Sequence, residues 1–244
     1  MPILKKISHQ RYLLIFLTIL TTSFFLRVYN LNYNSPFKDE AVYIVVGKLH
    51  TFQKDFWSYN ASAWMGGSPF FYPPMSALAY ISGGIVGSRF LNVIFGVLAV
   101  EVIFHLAYAI SKASKYQFLA GILAAAILGG ATTSLYISRL ATYDMPSFYF
   151  LILGIFLLIL AEQSQRTGKW YFLAATFLLL SFLIKIIVLL FLPFIFIYSF
   201  FRARNLAGRL FFWKRYFLWP LVAGLAIYLL TTKDSLISFF ILQA

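Results

Sequence analysis

The stretch Tyr12-Leu13-Leu14-Ile15-Phe16-Leu17-Thr18-Ile19-Leu20-Thr21-Thr22-Ser23-Phe24-Phe25-Leu26, followed shortly by Pro36-Phe37-Lys38-Asp39-Glu40, decides how this chain is read. The first part is the first apolar run of membrane length, and the second holds the only adjacent carboxylates in the sequence. Asp39 and Glu40 precede the amphipathic segment 41–52, so they are expected at the membrane surface on the side to which the first span delivers the chain. Acids are scarce: Asp39, Glu40, Asp55, Glu101, Asp144, Glu162 and Asp234 are the full set. Their positions relative to the membrane carry most of the functional reading.

Composition supports that reading. The 244 residues are 61% hydrophobic and 20% aromatic, and mean hydropathy is +0.83. A soluble domain this apolar would lack a surface, which makes the chain an all-α polytopic membrane protein. The net charge of +13 would point to nucleic acid in a soluble protein. Here it reads as basic loops that set topology and touch anionic headgroups, with no nucleic-acid partner. The absence of Cys excludes disulfides and thiolate metal sites. Lys5, Lys6 and Arg11 before the first apolar run, with no small-residue cleavage pattern after it, read as an uncleaved signal anchor.

Four basic clusters are expected on the cytoplasmic side: Lys5/Lys6/Arg11, Lys112/Lys115, Arg166/Lys169, and Arg202/Arg204/Arg209/Lys214/Arg215. An even number of crossings must then separate consecutive clusters. Residues 117–136 and 147–161 form one hairpin, with its tip (residues 137–146) outside and Pro146 at a helix start. The run 170–201 would be about 48 Å long as one helix, beyond a core of about 30 Å. It is therefore expected to fold as two short spans with Lys185 at the turn. Residues 70–87, with Pro73-Pro74 and Gly83, Gly84 and Gly87, are expected not to cross but to form a re-entrant or interfacial helix. With 216–232 as the last span, about seven spans are expected, with one large outer loop over 28–88.

This topology puts Asp39, Glu40, Asp55, Asp144 and Asp234 outside, together with Arg27, Lys38, Lys48, Lys54, Arg89, Arg139, Lys185 and Lys233. Charges at span ends are costly and favour a cavity or partner, so a cleft mixing carboxylates and cations is the natural site. Plainer readings stand beside it. Asp39 serves equally as the N-cap of a helix over 41–52 whose apolar face (Val42, Val45, Val46, Leu49, Phe52) rests on the membrane. Arg89 and Lys185 serve as snorkelling anchors, and Asp144 as a turn residue. His50 is expected in solvent and His105 inside the bundle. Glu101 falls mid-span without an evident partner.

Several features in order resemble a known family. They are Arg27-Val28-Tyr29, Pro36-Phe37-Lys38-Asp39-Glu40-Ala41, Tyr72-Pro73-Pro74-Met75, Ser88-Arg89-Phe90-Leu91 with Gly96, Ser138-Arg139-Leu140-Ala141 with Asp144, and Trp170 opening a span that ends in Phe182-Leu183-Ile184-Lys185. Over roughly residues 12–200 the chain resembles the polytopic GT-C glycosyltransferases of the dolichyl-phosphate-mannose-protein mannosyltransferase and aminoarabinose-transferase type. It departs from them in Lys38 before the acidic pair and in ending after the seventh expected span. The resemblance implies a single transmembrane module over 1–244, the N-terminal part of a longer pattern.

The resemblance further implies transfer of a sugar from a polyprenyl-phosphate carrier to an acceptor on the outer face of a prokaryotic plasma membrane or its equivalent. Such transfer passes through an oxocarbenium-like state and needs a carboxylate to take the acceptor proton. Asp39 is the expected base. Arg89, Arg139 and Lys185 are expected to hold the lipid phosphate. Glu40 and Asp144 are expected to orient the acceptor or to bind a divalent cation (Mg or Mn) through oxygen ligands. The competing readings are a lipid-linked sugar transporter or flippase fragment, and an inactive truncated remnant that binds carrier lipid.

Overall fold

The computed structural model describes residues 9–33, 35–52, 68, 71–164, 167–206 and 208–228. All regular structure among them is helical. The elements are α1 (His9–Val28), α2 (Lys38–Phe52), α3 (Tyr72–Ile110), α4 (Gln117–Gly130), α5 (Thr132–Ser138), α6 (Asp144–Gln163), α7 (Thr167–Ile184), α8 (Leu192–Asn205) and α9 (Arg209–Tyr228). Five described helices are long and apolar enough to cross a membrane: Gln10–Val28, α3, α6, α7 and α9. The pair α4 and α5, bent by 60°, makes a sixth if it counts as one span. This is the architecture of a polytopic all-α membrane protein. The second short span expected within 170–201 corresponds to α8, whose 14 helical residues fall short of that length.

The breaks in these helices follow from local sequence. Gly83 and Gly84 interrupt α3, and Gly84 has φ +61° and ψ −151°, a backbone conformation that only glycine adopts at low cost. The Ser88 hydroxyl donates to the Ser76 carbonyl at 2.7 Å. In a straight helix those residues would be about 18 Å apart. The arm 72–82 therefore folds back on the start of the long segment 85–110, as the re-entrant reading of 70–87 expects. Ala131 is extended (ψ 124°) and splits the segment expected as a single helix over 117–136. Lys185 is also extended, between α7 and the 3-10 turn Ile186–Leu190, and Pro193 falls in the first turn of α8. At one end of α6, Lys185 pairs with Asp144; at its other end, Arg202 of α8 pairs with Glu162 at 3.0 Å. α8 must thus run back alongside α6, which is the hairpin with Lys185 at its turn.

Two further expectations are corrected. The face Val42, Val45, Val46, Leu49 and Phe52 of α2 is not one free apolar side, since Val46 is buried within the protein. The helix buries Tyr43, Ile44, Val46, Gly47 and His50, while Val45 and Phe52 are exposed. Tyr43 and Val46 on this face pack against Tyr72 of α3 and Ile184 of α7. His50 is accordingly buried rather than solvated. His105 departs in the other direction: its ring is exposed and lies among Phe16, Phe104 and Phe156. Glu101, half-buried on α3, lies within electrostatic reach of Tyr149 on α6. Asp55 and Asp234 lie outside the described residues.

Since nothing lies within 4 Å of a Cβ built at either glycine, the α3 turn depends on backbone conformation alone. Gly84→Ala should cost about 1–3 kcal/mol, read as a lower thermal midpoint of the purified protein. Gly83→Ala should move it far less, because only Gly84 requires a positive φ.

Candidate functional site

One end of the bundle gathers the C-terminus of α1, the N-terminus of α2, the start of the long α3 segment, the 139–143 loop, the N-terminus of α6 and the end of α7. Its centre is a buried ion pair. The Arg89 Nε and Nη2 donate to Glu40 Oε1 and Oε2 at 2.9 and 2.8 Å, and neither side chain is exposed to solvent. Glu40 is the third residue of α2, so it reaches back to accept the Phe37 N–H at 2.7 Å, the return half of a capping box. Its Oε1 also accepts the Ala141 N–H at 2.7 Å. Arg89 donates two further N–H groups to the carbonyls of Leu31, at 2.6 Å, and Ser35, at 3.4 Å. Burial raises the Glu40 pKa, but Arg89 and the Ala141 and Phe37 N–H groups outweigh it and hold the carboxyl below its ordinary value.

This pair joins three segments distant in sequence: the 29–37 loop, the start of the long α3 segment, and the 139–143 loop. Asn92, one turn after Arg89, donates from Nδ2 to the carbonyls of Leu140 and Thr142. Arg139 donates to the Tyr29 carbonyl at 2.7 Å and the Asn30 carbonyl at 3.2 Å. Both arginines lie near the Tyr33 ring, Arg139 at 4.8 Å and Arg89 at 5.5 Å from its centroid. Together these bonds fix where Tyr143 and Asp144 enter α6.

Around that frame lie the accessible groups. Asp39, the second residue of α2, is exposed; it sits inside the first turn rather than capping it. Asp144 opens α6 and forms an ion pair with Lys185, both side chains about a third exposed (34% and 29%). Pro146 follows in the same first turn, where its missing N–H leaves no bond unmade. Lys185 also lies 5.1 Å from the centre of the Tyr143 ring. Tyr143 packs on Tyr43 with ring centroids 4.8 Å apart. Burial pushes the Tyr43 hydroxyl pKa up, and its interaction with Tyr143 and the charges of Asp39 and Asp144 push it the same way. Asp39 and Asp144 therefore both lie within electrostatic reach of the buried Tyr43 phenol.

The structure thus divides the six residues singled out from sequence. Asp39, Asp144, Lys185 and Arg139 retain exposed surface. Glu40 and Arg89, expected to act on substrate and on donor phosphate, are consumed by each other and by backbone groups. Sequence reasoning missed Tyr43, Tyr143, Asn92 and Tyr33. The first was within reach, because Tyr43 stands four residues after Asp39 and so shares its helix face. Arg27 was expected among the outer basic residues and in the Arg27-Val28-Tyr29 motif, but without a role of its own. It is fully buried and donates to the Gly129 carbonyl at 3.1 Å and the Ser134 hydroxyl at 2.7 Å.

Among the described residues no three His, Asp or Glu side chains converge on a point that could hold a metal ion. The Glu40 oxygens are occupied by N–H donors, and Asp144 is paired with Lys185.

A helical bundle of span-length helices, with carboxylates and cations gathered at one end, defines a polytopic membrane protein built around a polar site. The family model described as dolichyl-phosphate-mannose-protein mannosyltransferase matches residues 55–237, most of the chain, which belongs to that family of GT-C membrane glycosyltransferases. The matched region contains Arg89, Arg139, Asp144 and Lys185, while Asp39 and Glu40 precede it. No curated protein matches the chain.

Because the folded-state pKa of Glu40 is lowered, its stabilising contribution is complete above the ordinary carboxylate pKa and is lost as pH falls through the folded value. The thermal midpoint of the wild type should hold down to about pH 5 and fall below about pH 4.3. Glu40→Gln should lower stability at pH 7 by about 3–5 kcal/mol, since it leaves a buried guanidinium unpaired. The acid limb should become shallower in that variant. A midpoint unchanged by the substitution would show that the pair does not hold the loops.

Proposed function

We propose that this chain transfers a sugar from a polyprenyl-phosphate-linked donor to an acceptor at the extracytoplasmic face of the membrane, with inversion at the anomeric carbon. The observation that carries this reading is that the Asp144–Lys185 pair, about a third exposed, stands at the Tyr43–Tyr143 contact, with the exposed Asp39 carboxylate one helical turn before Tyr43. Asp39 takes the acceptor hydroxyl proton as the acceptor oxygen bonds to the anomeric carbon. The carbon–oxygen bond to the lipid phosphate breaks on the opposite face, and the phosphate leaves with the bonding pair. Lys185 and Arg139 stabilise that developing charge, Lys185 by exchanging Asp144 for a phosphate oxygen. Asp144 holds Lys185 in place until the donor arrives. Glu40 and Arg89 act by positioning: they fix the start of α2 and the 139–143 loop from which these groups project.

The sidedness rests on charge. The opposite end of the bundle carries Lys112, Lys115, Lys169, Arg202, Arg204, Arg209, Lys214 and Arg215 with Glu162 as its one described acid, the pattern of a cytoplasmic face.

Transfer of labelled sugar from native-membrane carrier lipid tests the reading at matched expression. Asp39→Asn should lower transfer by about 10²–10⁴-fold, the usual contribution of a general base, with carrier lipid still bound. Lys185→Met should lower both transfer and carrier binding, by about 10- to 100-fold, as expected for losing a charged hydrogen bond. A wild type that binds carrier lipid yet transfers nothing would replace the enzyme reading with that of a carrier-binding protein.

A further inference from the structure

A second set of cations lies at the opposite end of α7 from Lys185, about 27 Å away along the helix, and the transfer site does not use it. Between the first turns of α7 and the start of α9 runs a groove of about 510 Å³. Lys169 and Arg215 stand at it, and Phe172, Phe212 and Pro220 form apolar walls. Arg215 lies in the π-helical turn Lys214–Leu218, a local widening of α9 of the kind often found at functional sites.

Three of the other charges at this end are already committed. Glu162 is paired with Arg202 at 3.0 Å, and Arg209 donates to the Ala161 carbonyl and, at 2.7 Å, to the Thr167 hydroxyl. Lys169 and Arg215 have no carboxylate partner among the described residues. Their neighbours are rings instead: Trp170 lies 5.6 Å from the Lys169 ammonium, and Tyr216 lies 5.5 Å from the Arg215 guanidinium. Both cations are exposed, as are Phe172 (50%), Phe212 (39%) and Trp219 (65%). Cations at the mouth of an apolar groove, at the ends of span-length helices, present a negative headgroup and a hydrocarbon chain with matching surfaces in the right order.

We propose that this groove is a binding site for an anionic glycerophospholipid. The headgroup phosphate lies against Lys169 and Arg215, and an acyl chain runs along Phe172, Phe212 and Pro220.

The test uses the purified full chain in nanodiscs of phosphatidylcholine alone or mixed with phosphatidylglycerol, followed by mass spectrometry of lipid retained after detergent extraction. Wild type should retain phosphatidylglycerol in preference to phosphatidylcholine. Lys169→Gln and Arg215→Gln should each lower that retention about fivefold, the worth of one basic residue at an anionic surface. Arg215→Lys should largely restore it. Lys112→Gln with Lys115→Gln, at the same end but away from the groove, should leave it unchanged. Thermal midpoints matching wild type in phosphatidylcholine discs would establish that the variants are folded. Equal retention of both lipids by wild type, or unchanged retention by Lys169→Gln and Arg215→Gln, would overturn the site. Free glycerophosphoglycerol competing as well as the intact lipid would also overturn it, by showing an anion site with no acyl groove.

Discussion

The buried Glu40–Arg89 ion pair is the constraint on which the rest of this site depends. Two opposite charges withdrawn from water are costly unless each remaining lone pair and proton is used. Here Glu40 accepts from Phe37 and Ala141 as well as twice from Arg89, and Arg89 also donates to the Leu31 and Ser35 carbonyls. Each of those bonds is an order imposed on a loop. The pair also sets the rotation of α2. With Glu40 turned inward, the preceding residue points about 100° away around the helix. Asp39 is therefore presented outward because its neighbour is not, and Tyr43, one turn on, is carried to the same side as Asp39.

A second buried cation works in the same way on the other side of the site. The bend at Ala131 leaves carbonyls at the end of α4 without helical partners, which at membrane depth would be expensive. Arg27 supplies them, donating to Gly129 and Leu128, and reaches the first turn of α5 through Ser134. Its guanidinium passes so close to α3 that a Cβ at Gly96 would come within 2.7 Å of Arg27 Nε. The absence of a side chain at Gly96 is thus what admits the cation. By holding α5, Arg27 holds the base of the 139–143 loop, whose tip the Glu40–Arg89 pair holds from above.

Much of this arrangement was legible from residue type and spacing. Apolar length and basic loops locate the span-length helices, Gly83-Gly84 and Pro73-Pro74 announce the folded-back arm, and Lys185 within an overlong apolar run marks a reversal. What sequence could not show was which charges spend themselves on each other. Glu40 and Arg89 are 49 residues apart, and nothing local distinguishes a cation that pairs inside the fold from one that waits for a phosphate. The same limit misplaced His50, because the helix face chosen by packing against Tyr72 and Ile184 differs from the face that hydrophobicity alone selects. Asn92, Tyr33 and Tyr143 carry no pattern of their own; they matter through what the fold brings to them.

The two ion pairs of the site have opposite character, and burial is what separates them. An accessible pair in high dielectric is worth about 0–1 kcal/mol, so a better partner can take either member. A fully buried pair loses about 3–5 kcal/mol when one partner goes, because the survivor stays desolvated. Lys185 and Asp144 are about a third exposed, whereas Glu40 and Arg89 have no exposed surface. A phosphate arriving from the membrane could therefore draw Lys185 away from Asp144 at little cost, but could draw Arg89 from Glu40 only by releasing two loops from α3. In the transfer proposed above, exchangeable charge at the rim, held in register by fixed charge beneath it, would let an anionic lipid headgroup enter without disturbing the frame around Asp39.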